Sequence, residues 1–219
     1  LQSVSLSVHR DERSISFLSF MHVSIELNPQ NVPFFSQVHE IFHHDHNIYI
    51  VMESCRGGSL LTSKVRRLSE AKTAIIMGKL LSIARYLHDR RMVHGDVTLE
   101  NILWEDGPPT VDVKLVDFGR CRFLHETQST KIRQELAAPE TMDQHHGMAA
   151  DMWSLGIIAF TLMNGRPPPS TTTPPHEVLW QVDVSDDAKA FVRNLLECSP
   201  VDRMASYNAQ RHTWITRLD

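Results

Sequence analysis

The sequence predicts an α+β fold in two parts, a small strand-rich lobe followed by a larger helical one. Three observations carry this. Alternating and β-branched segments crowd into residues 1 to 52. Arg56, Gly57 and Gly58 then break the pattern and mark a linker. Beyond them apolar residues recur at helical spacing, and Asp151 to Asn164 is apolar nearly all round, as a helix buried inside a lobe must be. The division expected is 1–52 for a partial first lobe and 53–219 for the hinge and helical lobe of one domain.

The elements follow in order. VSLSV, from Val4 to Val8, alternates as a half-buried strand does. SISFLSFMHVSIEL, residues 14 to 27, reads as a helix, weakened by its serines and β-branched residues. FFSQVHEIF and NIYIVM read as two strands joined by the polar turn HHDH. Ser69 to Asp89 is a long helix, with Ile75, Ile76, Leu80, Leu81, Ile83, Ala84 and Leu87 covering more than one face. ILWEDGPPTVDVKLVDF reads as a hairpin. The Asp151 to Asn164 helix ends at Gly165, a residue suited to a helix C-terminus. Asp187 to Cys198 is amphipathic, with Ser185 as its N-cap. A last short helix covers Ser206 to Arg217. There are no internal repeats.

Bulk properties narrow the function. The chain of 219 residues suits one large domain or two small lobes around a cleft. A net charge of −4 gives no electrostatic case for nucleic acid or an anionic membrane as partner. No apolar run reaches the ~18 residues of a membrane span, and LQSVSLSVHRDERS lacks the pattern of a signal peptide. Cys55, Cys121 and Cys198 are odd in number and far apart, so they read as reduced thiols. The compartment expected is the cytoplasm, with the nucleus as the alternative. The first residue is not methionine, and the chain reads as a fragment.

The chemistry concentrates in VHGDVTLENILW, Val93 to Trp104, and in Asp117-Phe118-Gly119. Asp96, Asn101 and Asp117 bring three oxygen-bearing side chains, two of them anionic. Such a set suits Mg²⁺, a hard cation that shares its shell with substrate phosphates. Gly119 lets the chain turn sharply after the last ligand. One Asp-Phe-Gly alone carries little information. A His-x-Asp-x4-Asn loop followed about twenty residues later by apolar-Asp-Phe-Gly is specific.

With these motifs the sequence resembles the eukaryotic protein kinase family. Met52-Glu53 with GGSL resembles the gatekeeper and hinge, and Ala138-Pro139-Glu140 the end of the activation segment. Asp151 to Gly156, DMWSLG, resembles the start of the central helix, and SPVDRMAS, with Arg203, the closing motif. The resemblance runs from about Val32 to Ile215 and implies a bilobal serine/threonine-type kinase fold with ATP at the hinge. It implies that Asp96 accepts the proton of the substrate hydroxyl and that Asn101 and Asp117 hold Mg²⁺ on the ATP phosphates. It implies that Glu53 and Cys55 offer backbone groups to adenine and that Leu103 belongs to the nucleotide-binding surface. The resemblance further implies that His94 and Phe118 stack in the core, that Asp151 braces the catalytic loop, and that Glu140 pairs with Arg203. The partners implied are ATP and a protein substrate; the oligomeric state is left open.

The departures matter as much. Gly95 stands where the family has an arginine that receives an activation-loop phosphate, so the resemblance does not extend to that control. Thr127, Ser129 and Thr130 nevertheless lie in the corresponding segment. Thr98 replaces a lysine that neutralises the transferred phosphate, a loss of ~10²–10³ in rate by analogy with oxyanion-hole deletions. No glycine-rich loop is recognisable. If VSLSV corresponds to the strand bearing the ATP-pairing lysine, Ser7 takes that position; by itself it reads as a solvent-facing strand serine. Glu26 fits the family's helix glutamate poorly and reads as an exposed helix residue.

Two alternatives follow. One is a pseudokinase scaffold with impaired catalysis. The other is a small-molecule kinase, because HGDVTLEN also resembles the loop of aminoglycoside and choline phosphotransferases. Those families lack the Ala-Pro-Glu segment and the DxWSLG helix, both present here. The histidines of HHDH, with His145 and His146, read as turn and loop residues rather than metal ligands, and PPPSTTTPP as a plain loop.

Overall fold

A computed structural model describes residues 4–9, 36, 38–44, 47–62, 67–107, 110–125, 136–143, 147–168 and 180–217. The expected helix over 14–27, Glu26, Thr127, Ser129, Thr130, His145, His146 and most of the proline-rich stretch lie outside the described residues.

The first part is a three-stranded antiparallel sheet. Its strands are β1 (Val4–His9), β2 (Val38–His44) and β3 (Asn47–Met52), in the order β1-β3-β2. The two strands expected around HHDH form, and β2 runs on through His43 and His44, so the turn is shorter than HHDH. Phe42 and Tyr49 are register partners across the hairpin and stack with centroids 5.0 Å apart, a cross-strand aromatic pair of the kind that stabilises sheets. Ser7 pairs with Tyr49 on the other side of β3.

The glycine break after β3 is docked rather than loose. Arg56 N donates to Glu105 O at 2.8 Å and Leu60 N to Ile102 O at 2.9 Å. Gly57 permits this approach: a Cβ there would come within 2.4 Å of the Gly107 backbone.

The second part is built on α1 (Glu70–Asp89). Ser69 is its N-cap and accepts from Lys72 N, so the helix starts one residue later than the apolar pattern suggests. Ile76, Met77, Leu80, Leu81, Ile83 and Leu87 are buried, while Ile75 points outward. Two short strand pairs follow. β4 (Met92–Val93) pairs with β7 (Arg122–Phe123), and β5 (Ile102–Trp104) pairs with β6 (Val113–Leu115). The second pair is the expected hairpin. A 3-10 turn spans Pro139–Asp143.

The helix α2 (Met148–Asn164) begins three residues before Asp151 and buries most of its length, as its composition requires. Gly165 ends it with φ 81°. α3 (Asp186–Leu195) is capped by Ser185 and buries Ala188, Phe191, Val192 and Leu195. The expected last helix is two helices, α4 (Ser206–Gln210) and α5 (Thr213–Thr216). The break is local: His212 Nδ1 accepts from Trp214 N and starts a new helix. One apolar core runs from Ile50 of β3 through α1, the hairpin, α2 and α3 to Trp214. Among the described residues no helix is long and apolar enough to cross a membrane.

Candidate active site

The loop between β4 and β5 carries His94, Gly95, Asp96, Thr98 and Asn101. Asp151, near the start of α2, holds it from one side. Its Oδ2 accepts from His94 N at 2.9 Å and its Oδ1 from Gly95 N at 3.0 Å. His88, at the end of α1, adds a contact of Nε2 to Asp151 Oδ2 at 3.2 Å, and its Nδ1 lies 3.2 Å from Ser206 Oγ. Burial by itself would raise the Asp151 carboxyl, but the bond from His88, the neighbouring His88 and His94 rings and the Gly95 amide outweigh it and hold the group below the usual carboxylate range. The loop is thus anchored by an ionised carboxylate buried under it. That brace is the one the family resemblance implies.

Asp96 and Asn101 are joined directly. Asn101 Nδ2 donates to Asp96 O at 2.9 Å and to Asp96 Oδ2 at 3.2 Å. With the amide nitrogen committed, Asn101 presents its side-chain carbonyl oxygen elsewhere. Val116 N donates to Asn101 O at 2.9 Å, which brings the residue before Asp117 onto the same loop. Asp117 has φ 61°, a conformation a non-glycine residue adopts at some cost. Its Oδ1 accepts from Gly119 N at 3.2 Å, a local bond that makes the conformation tolerable for aspartate. The His94 and Phe118 rings meet edge to face at 4.7 Å. The His94 imidazole is held below its usual range by burial, against the opposing pull of Asp151, Asp96 and Asp117. Both acids are therefore within electrostatic reach of one ring.

The donor set fits Mg²⁺: one carboxylate and one amide oxygen, hard donors with the amide nitrogen turned away. Among the described residues no group of three or more His, Cys, Asp and Glu gathers as an alternative metal site. The expected hinge residues lie on the backbone after β3. The Glu53 side chain pairs with Lys114 of β6 at 2.6 Å, and Leu103 of β5 bridges to Ser59. The Cys55 thiol is pushed up to about 11 by burial, with the Glu53 charge adding to it. This thiol is no nucleophile at neutral pH.

Three contacts escaped sequence reasoning. Lys114–Glu53 joins the hinge to the hairpin; the signal was a lysine alternating between Val113 and Leu115. His88 was hidden at the end of an apolar helix. Arg120 lies directly after Asp-Phe-Gly, and its Nη1 stands 3.8 Å from Asp96 Oδ1.

Further from the loop, Arg203 and Glu140 form the pair their motifs imply. Nη1 meets Oε1 at 2.5 Å and Nη2 meets Oε2 at 2.9 Å. The arginine side chain is fully buried and also donates to the carbonyls of Glu197 and Ala149.

Residues 10–215 match the protein kinase domain model. The chain is 32% identical to the calcium/calmodulin-dependent serine/threonine-protein kinase 1 of Oryza sativa subsp. japonica, over 82% of this chain and 33% of that protein. It is 33% identical to a calcium/calmodulin-dependent protein kinase of Metarhizium anisopliae, over 77% of this chain and 49% of that protein. It is 29% identical to the ribosomal protein S6 kinase alpha-4 of Homo sapiens, over 85% of this chain and 28% of that protein. The chain thus spans half or less of the length of these relatives. The fold is the bilobal one of a kinase, a small strand-containing part and a larger helical part, and the chain belongs to the protein kinase domain family.

Proposed function

We propose that this chain transfers the terminal phosphate of ATP to a serine or threonine hydroxyl of a protein. The observation that carries the reading is the Asn101 amide bound to Asp96, which orients a base and a metal ligand on one loop. Mg²⁺–ATP, when bound, supplies the phosphoryl group and the charge neutralisation that such transfer requires. Asp96 accepts the proton of the attacking hydroxyl, whose oxygen bonds to phosphorus as the bond to the ADP oxygen breaks. Asn101 and Asp117 are the residues that would hold Mg²⁺. Glu53 and Cys55 offer backbone groups to adenine, and Leu103 belongs to the same surface. Serine and threonine as acceptors are supported by the similarity to the calcium/calmodulin-dependent serine/threonine-protein kinase 1 of Oryza sativa subsp. japonica. The lobe division at 52/53 is supported by the end of β3 at Met52. The cytoplasm is the proposed compartment, in keeping with the free thiols of Cys55, Cys121 and Cys198.

A second reading, a pseudokinase scaffold, is favoured by Ser7 in β1 and Thr98 in the loop, where the resemblance expects lysines. One assay separates the two. The chain is incubated with Mg²⁺–ATP and a generic serine/threonine substrate, with Asp96→Asn as the blank. Transfer abolished by Asp96→Asn supports the enzyme. Nucleotide binding without transfer moves the assignment to the scaffold.

A further inference from the structure

Among the described residues the candidate site is poor in cationic side chains. Asp96 and Asp117 are both acids, Asn101 and Thr98 are neutral, and Gly95 has no side chain. Bound Mg²⁺ is shared between these side chains and the nucleotide phosphates, so a cationic side chain beside Asp96 adds to the neutralisation that transfer needs. Lys114, on the neighbouring hairpin, is committed to Glu53 at 2.6 Å and lies 3.7 Å from Glu105. Among the described residues the cation paired with Asp96 is Arg120.

The backbone holds Arg120 there. Gly95 has φ 76°, and a Cβ on it would come within 3.0 Å of Arg120 O and 3.7 Å of Arg120 Cβ. The two chain segments therefore touch through the missing side chain of Gly95. A Cβ at 95 would crowd the Arg120 carbonyl, so the close approach of the two segments uses the glycine. Its guanidinium is 3.8 Å from Asp96 Oδ1, too far for a tight hydrogen bond. Its side chain is 40% exposed and borders solvent. A planar guanidinium can meet a phosphate through two donors, whereas here it faces a carboxylate already bonded to an asparagine.

We propose that Arg120 is the cation that meets the terminal phosphate of the bound nucleotide, pivoting from Asp96 when the phosphate arrives. In the empty site it screens Asp96; in the filled site it releases that carboxylate for the hydroxyl proton and neutralises the phosphate instead. This rests on the kinase reading above and adds to it the residue that recognises the third phosphate.

The test reads binding rather than turnover. Calorimetric titrations with Mg²⁺–ATP and Mg²⁺–ADP are run on the 219-residue chain, on Arg120→Gln and on Arg120→Lys. Thermal melts verify that each variant is folded. The expected result is that the unsubstituted chain binds ATP more tightly than ADP. Arg120→Gln should lose about tenfold in ATP affinity, the loss typical of a charge-assisted bond, with ADP affinity unchanged. Arg120→Lys should keep most of the preference. The proposal is overturned if Arg120→Gln keeps the ATP preference, if it weakens both nucleotides equally, or if the unsubstituted chain does not distinguish them. If the unsubstituted chain binds neither nucleotide, the kinase reading itself fails and this inference falls with it. That outcome is distinct, because in the other cases nucleotide binding is seen.

Discussion

His94 shows how a single residue serves both the packing and the chemistry of the loop. Its Nδ1 accepts from Asp96 N at 3.3 Å, which leaves the ring proton on Nε2 and the imidazole neutral. Burial enforces the same state by holding its pKa down. The consequence for stability has a definite sign. Below about 6.5, the ordinary value for histidine, the unfolded chain takes up a proton that native His94 refuses. The stabilisation from the neutral ring is thus complete above that pH and is lost as pH falls toward the depressed native value. Urea midpoints at pH 7.5 and pH 5.5 should show the lower stability at pH 5.5, and His94→Phe should shrink the difference. A midpoint difference identical in the two proteins would contradict this.

At the scale of elements, the contact between α2 and α3 depends on Gly156. A Cβ there would lie 2.9 Å from Leu195 Cβ and 2.8 Å from Leu196 Cδ2. The Leu196 methyl can rotate away, but the Leu195 Cβ cannot. Gly156→Ala should therefore force the helices apart and cost about 1–3 kcal/mol by overpacking, even though alanine is the better helix former. A denaturant titration checks this; a gain in stability would mean that the helices separate without penalty. At the other end of the lobe, Glu70 ties three elements together. Its carboxylate accepts from Ser185 N at 2.9 Å and Trp214 Nε1 at 2.9 Å, so the first turn of α1 holds the cap of α3 and the start of α5.

For the whole molecule, the bidentate Glu140–Arg203 pair fastens the 3-10 turn to the segment after α3. The Trp153 ring lies under the guanidinium, 4.9 Å from its carbon. Each polar group of the arginine has a partner, so the buried charge is compensated. Arg203→Ala strands the Glu140 carboxylate, which is 13% exposed, and should cost ~3–5 kcal/mol. The expected sign is a clear drop in melting temperature; an unchanged melt would mean that water reaches Glu140 and replaces the arginine.

The sequence by itself determined what depends on local pattern and on fixed spacing. The buried length of α2 was legible because nearly every residue of it is apolar, and the start of α3 because Ser185 precedes its stripe. The pairing of Asp96 with Asn101 was legible because five residues on one short loop separate them, and the structure joins them directly. The helix break at His212 was not legible, since a histidine capping its own helix has no strong sequence signal. Only the tertiary structure decided that the glycine break is docked on β5, that His88 joins Asp151 under the loop, and that Arg120 stands beside Asp96. Each of these depends on where a residue distant in the chain comes to lie, and long-range contacts of single polar side chains leave no periodicity to read.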